Sequence, residues 1–221
     1  LFSGHMEHAP KSLRRELHWE GMYALFFHAD VLDVTERLLG VAEIRLYPNY
    51  TVRPKFPQDP ATEVLWHQDA GYTASGQHGR DEAATDQNVE TLRMVNVWAP
   101  LVPARRANGC MQFVSGTHRA GLATHERREH YLEISDAEIS AHQAHAIDIE
   151  CDPGDVVIFS NMLYHRGLPN GSDTIRWSCD WRYQDAGQST MRSERGHMAR
   201  SRLAPQSVVS SSAQWTSLSF Q

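Results

Sequence analysis

The sequence is poor in cysteine, and what it has does not pair up: Cys110, Cys151 and Cys179 are odd in number and show no CxxC spacing. That excludes a disulfide framework and a thiolate zinc site, leaving small core residues or idle thiols. No apolar run approaches the ~20 residues of a membrane helix, and no charged start leads into a signal-like apolar stretch. Positive charge is not in excess. A net charge of −6 and a pI near 6.1 give no reason to expect nucleic acid or an anionic membrane as partner. Internal repeats and any sign of a second domain are missing too. The reading is one cytoplasmic domain over residues 1–221, with 41% hydrophobic and 22% charged residues, long enough to bury a core.

Turn signals separate many short strand-like runs, which argues for a mainly β fold with flanking helices. Residues 1–10 read as a flexible or expression-derived start, and the spacing over 11–27 is loosely helical. A clearer helix follows, with Asp30 as cap, Val31, Val34 and Leu38 at helical intervals and Gly40 at a left-handed C-cap. Strands are expected over 41–47, 92–98, 111–114, 146–149, 156–160 and 174–183. Residues 49–60 read as a proline-rich extended loop, and 71–90, without apolar periodicity, as a lid. The charged, His-rich run 121–133 reads as a solvated face, and Ser135 with Glu138 as a capping box. Residues 190–221 form an arginine-bearing, then serine-rich tail, either wrapped onto the domain or mobile. On 174–183, Arg176, Ser178, Asp180 and Arg182 alternate with Trp177, Cys179, Trp181 and Tyr183. One face therefore suits a wet barrel interior and the other an apolar layer.

Chemistry enters at Trp66-His67-Gln68-Asp69. On a strand, His67 and Asp69 point to one side, because side chains alternate with period two. Gln68 then faces away and holds the strand. A second histidine would complete a 2-His-1-carboxylate triad, which leaves open positions on a ferrous ion. His165 follows the buried strand 156–160, and Arg176 lies eleven residues further on, 176 − 165. Its planar fork suits a dicarboxylate anchor.

Five pieces in order carry a family resemblance: Trp66 to Asp69, Val97-Trp98-Ala99-Pro100-Leu101, Asn108-Gly109 through Thr117-His118-Arg119, Gly154-Asp155 through His165, and Arg176 to Gln184. They cover roughly residues 43–185, and on them the chain resembles the phytanoyl-CoA dioxygenase family. The resemblance implies a double-stranded β-helix, a jelly-roll, cupin-like barrel with its core over 41–185. It implies Fe(II) held by His67, Asp69 and His165, 2-oxoglutarate as co-substrate, O2, and a reductant such as ascorbate. Arg176 is implied as the anchor for the distal carboxylate of 2-oxoglutarate, with Ser178, Trp98 and Lys55 beside it, and Gly109 on the pocket. Asp69 stands where related halogenases carry a small residue, which implies oxidation without chlorine. His118 is expected to be structural, and His125, His130, His142 and His145 to be surface residues. Arg182 and Tyr183 are candidates to reach a substrate.

The family also implies a barrel strand ahead of the first helix for which this sequence has no candidate. An edge left open there would be covered by a homodimer. The expected activity is oxidation, first of all hydroxylation, of a C–H bond of a small metabolite. The arginines after Gln184 suit an acidic substrate. A cupin-like metal-binding module without oxygenase activity is the alternative, and it has no need of Arg176. A metal-dependent isomerase or hydrolase is a third, weakened by the lack of an obvious extra general base.

Overall fold

The strand that alternates most regularly in sequence sits at the centre of the larger of two sheets. The computed structural model describes residues 17–75, 89–128 and 131–218. Among these, the larger sheet contains β1 (Glu43–Leu46), β2 (Thr51–Lys55), β4 (Met94–Pro100), β9 (Val157–Ser160), β11 (Arg176–Asp185) and β12 (His197–Ser201). Its order is β12-β1-β11-β4-β9, with β2 paired to the start of β11. The smaller sheet contains β3 (Val64–His67), β5 (Met111–Val114), β8 (Ala146–Ile149) and β10 (His165–Gly167), in the order β3-β10-β5-β8. β6 (His125–Arg127) and β7 (Leu132–Ile134) pair as a separate hairpin. All of these pairings are antiparallel, and together they make the expected jelly-roll barrel.

Alternation assigns the two faces of the larger sheet. Arg176, Ser178, Asp180 and Arg182 of β11, with Asn96 and Trp98 of β4, line a cavity of about 110 Å³ between the sheets. The opposite face presents Val95, Val97, Ala99, Cys179, Trp181 and Tyr183 to a core shared with Ile44, Leu46, Phe26, Leu32 and Trp215. Each large side chain buried there contributes roughly 1.5–3 kcal/mol. Tyr183 thus belongs to the core, where its hydroxyl donates to the Phe26 carbonyl, and does not reach the substrate side. The three cysteines are free and buried.

Helices cover the outer face. α1 (Glu20–Phe26) is the described part of the first helical segment. α2 (Ala29–Leu39) ends on Gly40 with φ +64°, the expected left-handed cap, but its N-cap is His28 and Asp30 lies in the first turn. Its buried stripe is Leu32, Thr35 and Leu39, whereas Val34 and Leu38 are 44% and 59% exposed. Both stripes satisfy a 3.6-residue period, so the spacing alone could not choose between them.

Other expectations are corrected. Residues 51–55, read as loop, form β2, whose Pro54 is tolerated because among the described residues β2 has a neighbour on one side only. Residues 69–74, partly assigned to a lid over 71–90, form helix α3 (Asp69–Ala74), while 76–88 lie outside the described residues. Ser135 caps α4 (Asp136–Ile139) without a side-chain bond. Glu138 instead accepts from Thr124 N–H and from the Tyr164 hydroxyl. The tail is integral to the fold: β12 pairs with β1, and Trp215 of α5 (Ser212–Ser217) is fully buried. β12 therefore covers one edge of β1 within the chain. Among the described residues no helix is long and apolar enough to cross a membrane.

Trp215 meets Phe26, Phe27, His18, Tyr50 and His197. Trp215→Ala is expected to lower stability by about 3–5 kcal/mol, read as a shift of the urea midpoint. An unchanged midpoint would mean that the tail contributes nothing to the core.

Candidate active site

β3 delivers His67 at its last residue, Gln68 continues extended (φ −113°, ψ 137°), and Asp69 opens α3. Strand pairing brings His165 of β10 directly opposite His67. The Asp69 Oδ1 atom lies 3.3 Å from His67 Nε2 and 3.8 Å from His165 Nε2. One donor atom from each of the three residues falls within 4.8 Å of the others. His67 Nδ1 donates to Leu65 O and His165 Nδ1 to Leu163 O, both at 2.8 Å. A carbonyl can only accept, so each ring keeps its proton on Nδ1 and turns the Nε2 lone pair inward. Burial pushes the His165 pKa down to about 3, which keeps its ring neutral at pH 7. Two inward lone pairs and a carboxylate oxygen are the donor set of a divalent transition metal.

Asp69 is positioned by Arg182, which donates from Nε and Nη2 to Oδ2 at 2.8 and 2.7 Å. Oδ1 is thereby left for the histidines. Burial opposes ionisation of Asp69, but the Arg182 guanidinium, aided by His67 and His165, outweighs it and holds the carboxyl well below its usual range. Arg182 in turn donates from Nη1 to Asp180 Oδ1 at 2.5 Å, and Asp180 Oδ2 accepts from Arg53 Nε at 2.6 Å. Charges of opposite sign thus alternate along one chain from Asp69 to the cavity wall.

Arg176 sits at the other end of the polar face, 4% exposed. Nη1 donates to Ser178 Oγ at 2.6 Å and Nη2 to Gly109 O at 3.0 Å, while Nε is buried without a partner. Its guanidinium carbon lies 5.5 Å from the Trp98 ring centroid. Gly109, at φ +84°, is where a Cβ would come within 2.5 Å of both Leu168 O and Lys55 Cδ. Only glycine lets that carbonyl approach Arg176. Lys55 is buried, with Nζ donating to Leu168 O at 2.7 Å and Gly167 O at 3.3 Å. Burial, and then the Arg176 charge, push its pKa down to about 7. Ser178, Trp98 and Lys55 therefore gather around Arg176, and all line the same cavity as His67, Asp69 and His165.

Gln68 faces away and braces the site: Nε2 donates to Gly121 O and Met162 O, and Oε1 accepts from Ala123 N–H. His125, expected on the surface, instead accepts from Gln68 N–H through Nε2 at 3.2 Å. Its ring lies so close to Gly71 that a Cβ there would be 2.6 Å away. No ligand spacing marks His125 in sequence, because its role depends on a hairpin folding back over α3. His118 and His145 are exposed, His142 is half-buried with its ring edge-on to Tyr164, and His130 lies outside the described residues. Of the arginines expected at the entrance, Arg200 pairs with Asp33 and Glu36 and Arg202 with Glu36, on the helical side. A residue missed altogether is Asn96, 2% exposed on the cavity wall, with both amide atoms unpartnered. Its alternation with Val95 and Val97 was the available signal.

The family model described as phytanoyl-CoA dioxygenase (PhyH) matches residues 7–178. A 1-deoxypentalenic acid 11-beta-hydroxylase from Streptomyces arenae is 27% identical over 176 residues, 73% of this chain and 56% of the relative. The chain thus spans about half the length of that curated relative. Among solved structures, the non-heme monooxygenase ThoJ in its apo form superposes with TM-score 0.60 at 23% identity, over 81% of this chain and 61% of that one. The epimerase SnoN in complex with Fe3+, alpha ketoglutarate and nogalamycin RO gives TM-score 0.58 at 22% identity, covering 79% and 64%. At these identities the structural likeness speaks for the fold.

Removing Arg182 leaves Asp69 and Asp180 as buried carboxylates without their shared partner. Arg182→Met is expected to destabilise the metal-free protein by about 3–5 kcal/mol in urea unfolding. Addition of a divalent metal should recover part of that loss, since the ion replaces one positive charge; no recovery would separate Asp69 from metal binding.

Proposed function

The chain belongs to the phytanoyl-CoA dioxygenase family, and from that premise we propose that it is a non-haem Fe(II)/2-oxoglutarate-dependent dioxygenase. It oxidises, most simply by hydroxylation, a C–H bond of a small metabolite, with release of succinate and CO2. The carrying observation is that the triad His67, Asp69, His165 and the buried, partly unpartnered Arg176 open onto one cavity. A module that only held metal would have no use for a guanidinium buried at that cost.

An Fe(II) ion bound there supplies, with 2-oxoglutarate and O2, the oxidising power for an unactivated C–H bond, and ascorbate would keep the ion reduced. The chain's own residues bind and orient. His67 and His165 offer fixed Nε2 lone pairs, and Arg182 aims Asp69 Oδ1 at them. Arg176 and Ser178 receive the distal carboxylate of 2-oxoglutarate, with Trp98 packed on the guanidinium. Val64, Met111, Phe159, Tyr72 and Tyr131 make much of the remaining wall apolar or aromatic, which suits a substrate with a hydrocarbon body.

Succinate formation from 2-oxoglutarate, measured with Fe(II), ascorbate and air, tests the reading. His165→Ala is expected to abolish it. Arg176→Met is expected to raise the KM for 2-oxoglutarate by about tenfold to a hundredfold, the worth of a charged hydrogen bond. Succinate release that survives both changes would remove the proposal.

Lys55 adds a pH signature. Its pKa near 7 in the free protein means that it is charged below and neutral above that pH. A dianion prefers the charged form, so 2-oxoglutarate affinity should fall as pH rises from 6 to 8 and stay nearly flat in Lys55→Met. A flat profile in the unmodified protein would exclude Lys55 from the co-substrate pocket.

A further inference from the structure

Behind Asp69 lies a second cavity that the co-substrate site does not use. Its volume is about 20 Å³, above the roughly 10–15 Å³ that holds one water, so it admits a small polar group. Arg192 lines it with Asn49, Thr73 and Met94, and Asp69, Tyr72 and Arg182 form a wall shared with the main cavity.

Arg192 is 6% exposed. Its Nε donates to the Tyr47 hydroxyl at 2.9 Å, and its guanidinium carbon lies 5.1 Å from the Tyr47 ring centroid. Tyr47 passes its own proton to Thr190 O at 2.9 Å, so its oxygen is free to accept. Among the described residues the terminal nitrogens of Arg192 have no hydrogen-bond partner and no acidic residue pairs with it. A buried guanidinium is costly to desolvate unless an anion meets it. The nearby charges cannot supply one: Asp69 and Asp180 are both committed to Arg182, and Asp180 also to Arg53.

We propose that this cavity is a second carboxylate site, in which the open edge of Arg192 binds the acid group of an organic monocarboxylate. Two parallel hydrogen bonds from a planar fork match a planar carboxylate. A bulkier dianion such as phosphate would crowd the cavity and face Asp69 across the shared wall. The two cavities share Asp69, Tyr72 and Arg182 as lining, so the proposal places the hydrocarbon body of the ligand on the main-cavity side of these residues. The site itself stands on Arg192; its assignment to the prime substrate rests on the oxygenase reading.

The test is calorimetric titration with acetate, hexanoate and hexanol. It uses protein loaded anaerobically with Fe(II) and 2-oxoglutarate and, in parallel, metal-free protein. Hexanoate is expected to bind both forms more tightly than acetate, with hexanol far weaker. Arg192→Gln should weaken hexanoate by about tenfold or more, the loss of one charge-assisted hydrogen bond. Arg192→Lys should recover part of it. Thr73→Glu, which places a carboxylate in the cavity and leaves Arg192 intact, should block hexanoate as well, and it decides the matter if Arg192→Gln does not fold. Equal affinity for acetate and hexanoate, still sensitive to Arg192→Gln, would support the carboxylate site and overturn its link to a larger substrate. Hexanoate binding that neither variant changes would overturn the site. Failure of the oxygenase reading would show separately, as absence of succinate release with the Arg192 dependence in metal-free protein intact.

Discussion

The ion pair between Arg182 and Asp69 is the constraint on which the site depends. Two bonds converge on Oδ2 and pin that oxygen, which leaves Oδ1 to face two imidazole nitrogens. The pair joins elements far apart in sequence, the start of α3 and the middle of β11, so the His67–Asp69–His165 triad and the sheet register hold each other. A one-residue slip of β11 against β4 would exchange Arg182 for Trp181 or Tyr183 and put an aromatic ring where the cation must be. Because that slip would also bring the polar residues of β11 into the core, the hydrophobic layer enforces the geometry of the site.

The same strand separates the two anions the site would handle. Arg176 at one end of its polar face and Arg182 near the other are divided by Ser178 and Asp180, so a dicarboxylate and a carboxylate metal ligand need not compete for one guanidinium. Neutrality is maintained locally. Arg53, Asp180, Arg182 and Asp69 alternate in sign, and the pKa of Lys55 is brought down to about 7 by burial and by Arg176. Gly109 and Gly71 do the steric work, one letting a carbonyl reach Arg176 and the other letting the His125 ring lie on α3.

Much of this was legible in the sequence wherever a period-two pattern met a chemical type. The polar and aromatic alternation of β11, the outward Gln68, and the co-location of Ser178, Trp98 and Lys55 with Arg176 could be read from order and resemblance. What failed depended on contacts between distant segments. The tail carries no strong strand signal, yet β12 pairs with β1 because that edge needs a partner. Residues 69–74 lack an apolar stripe and still form a helix, braced where Gln68 and Met162 meet. His125 and Asn96 acquire meaning only once the hairpin and the barrel close around them.

The most direct measurement is an anaerobic titration of the Fe(II)-loaded protein with 2-oxoglutarate, following visible absorption. Expected is a charge-transfer band of a chelated keto acid that saturates at one equivalent, vanishes in His67→Ala and requires more 2-oxoglutarate in Arg176→Ala. A protein that binds one Fe(II) but develops no band would contradict the account and leave a metal-binding module.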